Sequence, residues 1–124
     1  KRLLEAKRFG KKSGMGYYDY SSSAVKPEPL TDKILAEKIF RRVICMLINE
    51  AVDAFYYKIA SRDDLDIAVK NGVNYPKGLL EWCDEIGVDT VLFTIATFHD
   101  LYLDDRYRPS VLLRQMFVEK QKFY

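Results

Sequence analysis

The sequence predicts an all-α protein, with one long central helix and about four shorter ones around it. Three observations predict this class. Apolar residues recur at spacings of three and four from Ile34 to Ile59 with no Gly or Pro between them. Capping residues and closing glycines then punctuate the rest of the chain at helix-length intervals, as in Ser61…Gly72 and the stretch closed by Gly87. Finally, no period-2 alternation runs long enough to build a sheet.

The elements follow in order. "KRLLEAKRF" (1–9) sets Leu3, Leu4 and Ala6 among charges and predicts a two-turn helix stopped by Gly10, and "GYYDY" (16–20) predicts a short extended segment. "SSSAVKPEPL" (21–30) is a linker, because Pro27 and Pro29 each bias the preceding residue to extended conformations. The strut runs from Asp32 to about Ala60, with Thr31 or Asp32 available to cap it. Ser61 can cap the next helix, with Leu65, Ala68 and Val69 on its buried side and Gly72 at its end. "NYPKG" is a turn, and "LLEWCDEIG" is a short helix burying Leu79, Leu80, Cys83 and Ile86. Asp89 can cap "TVLFTIATFHDLYL", whose apolar residues wrap most of its circumference and predict a largely buried helix. "DDRYRPS" turns the chain with local ion pairs, and "VLLRQMFVEKQKF" is a last amphipathic helix.

At 124 residues and 48% hydrophobic, the chain has the length of one domain with a single core. Lys1 at its head suggests a processed or excised piece. No apolar run approaches ~18 residues and no signal-peptide pattern opens the chain, so a cytoplasmic protein without membrane partners is expected. Cys45 and Cys83 lie in apolar helical surroundings without metal-ligand spacing and read as buried reduced thiols, with a disulfide between them as the alternative. The net charge of +2 hides an asymmetry: residues 1–12 hold six basic side chains (Lys1, Arg2, Lys7, Arg8, Lys11, Lys12) against Glu5 alone. No basic residues elsewhere extend that patch, which argues against a nucleic-acid partner.

Gly10, Gly14 and Gly16 match neither G-x-G-x-x-G nor the phosphate-loop ending G-K-[ST], and no strand precedes them, so they read as a turn requiring positive φ. His99 is the only histidine; Asp100, next in sequence, is expected to face another side of the helix, which leaves His99 a structural residue. Asp63, Asp64 and Asp66 lack Ca²⁺-loop spacing and read as favourable charge at a helix N-terminus, so no metal site is expected. Arg41 and Arg42 lie on an otherwise apolar stretch; one can reach solvent or a carboxylate, or both can meet a bound anion. Asn49 sits close to the apolar stripe, where a buried hydrogen bond to a loop is expected. No nucleophile, base and oxyanion-donor set can be assembled, so no catalytic and no cofactor-binding residue is expected in this chain.

Three segments together resemble the C-terminal domain of 3-hydroxyacyl-CoA dehydrogenases. Residues 43–89 carry Ile48-Asn49-Glu50-Ala51, the helix start Ala60-Ser61-x-x-Asp64-Leu65-Asp66, and Tyr75-Pro76-x-Gly78 ahead of Ile86-Gly87-Val88-Asp89. "DDRYRPSVLLRQMFVE" (104–119) resembles the family's D-x-x-[YF]-x-P-x-x-L-L-x-x-M-V-E ending. "GKKSGMGYYDY" (10–20), with Gly10, Gly14, Gly16 and Tyr18, resembles the glycine signature that closes the domain. That signature precedes the core here. Setting "KRLLEAKRF" against "QMFVEKQKF" (115–123) pairs Glu5 with Glu119 and Phe9 with Phe123. Residues 1–20 then read as the tail of one helical repeat, 21–30 as a linker and 31–124 as a second repeat.

The resemblance implies a small helical domain of the 6-phosphogluconate/3-hydroxyacyl-CoA dehydrogenase C-terminal type, from an enzyme that oxidises L-3-hydroxyacyl-CoA with NAD in fatty-acid β-oxidation. It implies a Rossmann domain and a first helical repeat as partners within the parent protein, with acyl-CoA as the parent's substrate. The family's substrate-contacting Asn, in G-F-I-[VP]-N-R, falls on Arg41, its Arg on Arg42 and its Gly on Glu37 or Lys38; Leu79 stands where the family often has Pro. The repeat is therefore expected to be non-catalytic, to bind no NAD itself, to brace the substrate cleft and to form a homodimer or pseudo-dimer. The alternative is an acyl-CoA- or anion-binding module using Arg41, Arg42 and the basic tail (Lys7, Arg8, Lys11, Lys12).

Overall fold

A computed structural model describes residues 2–25, 27–29 and 31–124. Lys1, Lys26 and Leu30 lie outside the described residues, so the basic tail's first charge and two positions of the linker carry no structural description. The chain divides into two compact units, Lys1–Thr31 and Asp32–Tyr124.

The first unit begins with helix α1, Arg2–Glu5. It is one turn, not two, and Gly10 does not stop it. Lys7 adopts left-handed backbone (φ 55°), and Arg8 N–H reaches back to Leu3 O at 2.9 Å, which closes the helix three residues earlier than expected. The rest is a loop around Ser13. Phe9 N–H donates to Ser13 Oγ at 2.8 Å, and that hydroxyl donates to Met15 O at 2.8 Å. Instead of one extended segment, two isolated bridges pair Gly10 with Met15 and Met15 with Asp19. Gly10 and Gly14 have φ of 93° and 70°. Gly16 needs its missing Cβ for another reason: a carbon there would come within 2.9 Å of Gly10 Cα.

The second unit is built on α2, Lys33–Tyr56. Asp32 is its cap, accepting from Leu35 N–H at 3.0 Å. The helix ends four residues before the expected Ala60, because Lys58 turns left-handed (φ 57°) and Ile59 N–H bonds to Ala54 O. That early stop frees Ser61 to cap α3, Arg62–Gly72, by accepting from Asp64 N–H. α4 (Leu79–Ile86) and α5 (Val88–Tyr102) share Gly87, whose positive φ (99°) reverses the chain between them. α5 starts at Val88 with Gly87 at its cap position, so Asp89 lies inside the first turn instead of capping it. α6, Val111–Glu119, ends on a left-handed Lys120. Among the described residues every regular element is helical, and four shorter helices of this unit surround the strut.

The core joins Ile44, Cys45, Ile48 and Val52 of α2 with Leu80 and Cys83 of α4, Val91 and Ile95 of α5, and Leu113 and Met116 of α6. Three burial expectations change. The first third of α2 is uncovered: Ile34 is 72% exposed and Ile39 56%. On α3, Ala68 is exposed and Asp66 is the buried residue. On α5, only Val88, Val91, Leu92 and Ile95 are buried, while Phe93 and Leu101 face outward, because neighbours cover a single side of the helix.

Candidate functional site

Arg41 and Arg42 diverge. Arg41 is exposed and meets Glu37 at 3.4 Å, one helical turn earlier. Arg42 turns inward, and its guanidinium carbon lies 5.3, 4.8 and 5.2 Å from the ring centroids of Phe98, Tyr102 and Tyr107. Its Nε donates to Tyr107 Oη at 3.0 Å, and Nη2 makes a second, shorter bond to the same oxygen. That hydroxyl is the main reason the Arg42 pKa is raised above its ordinary value. Arg42 therefore ties α2 to the turn after α5. With Leu35, Lys38, Ile39, Phe98 and Tyr102, the two arginines line an open, mostly apolar depression of about 460 Å³. The basic tail belongs to the first unit, where Lys7, Arg8, Lys11 and Lys12 are exposed.

The turn signature is explained by a residue that sequence reasoning assigned to helix-end charge. Asp66 is 2% exposed and accepts from Leu80 N–H at 2.8 Å and Glu81 N–H at 3.0 Å. A carboxylate from α3 thus caps α4 across the Tyr75-Pro76-x-Gly78 turn. Gly78 is obligatory by contact, since a Cβ there would overlap the Asp66 carboxyl. The pattern D…G-L-L-E held a signal for this cap, but nothing local shows that the two segments meet.

Two further polar posts hold the chain. Asn49, 1% exposed, donates to Arg108 O at 3.1 Å and accepts from Ser110 N–H at 2.8 Å, so it fastens the loop ahead of α6. Arg108 itself pairs with Asp53 across the fold at 3.4 Å, while Arg106 pairs locally with Asp104. Asp84 accepts from Phe123 N–H and Tyr124 N–H at 3.0 and 2.8 Å, Arg62 donates to Phe123 O, and Tyr124 Oη donates to Asp66 at 3.1 Å. Residues 120–124 are thereby strapped over α3 and α4, with the Phe123 ring buried edge-on against Phe55.

His99 Nδ1 lies 3.7 Å from Asp100 Oδ1, the exposed carboxylate of its neighbour in sequence. Among the described residues, no three His, Cys, Asp or Glu side chains converge as a metal would require. A dinucleotide does not fit the glycine run, which leads into a three-residue 3₁₀ turn (Lys11–Ser13) and not from a strand into a helix. Burial raises both thiols, Cys83 to about 12.

This arrangement of helices has known relatives. Residues 39–123 match the family described as 3-hydroxyacyl-CoA dehydrogenase, C-terminal domain. The chain belongs to this family. The 3-hydroxyadipyl-CoA dehydrogenase of Escherichia coli K12 is 43% identical over 74 residues, 60% of this chain and 16% of that protein. The fatty acid oxidation complex subunit alpha of Shewanella oneidensis is 28% identical over an alignment of 139 residues that takes in 99% of this chain and 19% of that one. A crystal structure of (S)-3-hydroxybutyryl-CoA dehydrogenase from Ralstonia eutropha superposes with a TM-score of 0.63 at 35% identity, over 64% of this chain and 28% of that one. The 3-hydroxybutyryl-CoA dehydrogenase of E. coli K12 shares the fold over 95% of this chain and 43% of its own, with a TM-score of 0.72 at 23% identity. The chain thus spans between 16% and 28% of the length of the first curated relatives it matches. No described helix of this dehydrogenase C-terminal domain is long and apolar enough to cross a membrane.

Proposed function

We propose that the chain is a non-catalytic helical domain of an NAD-dependent 3-hydroxyacyl-CoA dehydrogenase of cytoplasmic fatty-acid β-oxidation. Its part is to brace the substrate cleft formed with a Rossmann domain and a first helical repeat of the same protein, and to pair with a second helical body. One observation carries this reading: the stretch of α2 before Ile44 presents Ile34, Leu35, Ile39, Phe40 and Val43 on its surface, from 40% to 72% exposed. An uncovered apolar stripe on the longest helix is an interface surface. The arginines support the non-catalytic part. Arg41 stands where the resemblance gives a substrate-contacting Asn and is occupied by Glu37, and Arg42 is held by Tyr107. NAD enters only through the parent protein.

Sedimentation of Ile39→Glu against wild type tests the pairing: self-association should weaken at least tenfold, and unchanged association rejects the stripe as the interface. Turnover of 3-hydroxyacyl-CoA and NAD by the chain alone rejects the non-catalytic assignment. A second reading, an acyl-CoA or anion site, is favoured by the apolar depression rimmed by Lys38 and Arg41. Calorimetry with CoA, repeated on Arg41→Asn, separates the two, since only the second reading expects heat that the substitution removes.

A further inference from the structure

We draw no further inference here: the strongest candidate, the open depression between the uncovered stretch of α2 and the end of α5, rimmed by Lys38 and Arg41, belongs to the site already described, and nothing in the structure shows what covers it.

Discussion

Asp66 and Gly78 show how one contact can account for two signature residues twelve positions apart. The buried carboxylate caps α4 through two backbone N–H groups, and the glycine exists to let it approach. Gly78→Ala should cost about 2–3 kcal/mol by overlap, since its φ of −69° suits any residue. Asp66→Ala removes that overlap but strands the two donors, so a double-mutant cycle by denaturant unfolding should show strong non-additivity. Additive losses would refute the contact. Asn49 and Ser110 make a second contrast. Asn49→Ala abandons a buried donor and a buried acceptor and should cost about 2–3 kcal/mol. Ser110 Oγ is buried without a partner, so Ser110→Ala should stay within about 0.5 kcal/mol.

At the scale of elements, α1, α2 and α6 all close on a left-handed lysine: Lys7, Lys58 and Lys120. Side chains pay a steric penalty there that glycine avoids. Lys58→Gly, at an exposed position, should raise stability by about 0.5–1 kcal/mol and lift the melting temperature; a decrease would show that the lysine makes a compensating contact. The same ends mark the limits of pattern reading. Periodicity located each helix, but carried α2 to Ala60 because Ile59 is apolar, whereas the chain had already turned at Lys58. Whether an apolar residue continues a helix or follows it depends on which hydrogen bonds close the last turn, and periodicity does not register those.

Over the whole molecule, the strap of residues 120–124 couples the last residues to α3 and α4, and it is sensitive to alkali. Burial, followed by the charge of Asp66, pushes the Tyr124 phenol up to about 12. A phenol raised in the folded state contributes stability that is complete below the unfolded value near ~10. That contribution disappears as pH rises through about 12. The melting temperature of wild type should therefore fall more steeply between those values than that of Tyr124→Phe. Parallel curves would show that the hydroxyl is uncoupled from the fold.

The sequence by itself determined the helical class, the strut, the cap at Ser61 and the buried thiols, because these follow from spacing and local chemistry; the family came from the resemblance of its motifs, and for the strut's cap the sequence leaves both Thr31 and Asp32 open. It also marked Asn49 as a buried polar residue that needs a loop partner. Tertiary structure alone decided that Asp66 caps a helix other than its own, that Arg42 is spent on Tyr107, and that the apolar stripe of α2 is buried only from Ile44 onward. Each of these depends on which distant backbone or ring fills the space beside a side chain. An apolar pattern says that a face seeks cover, and only the packed fold says which part of it finds cover within the chain.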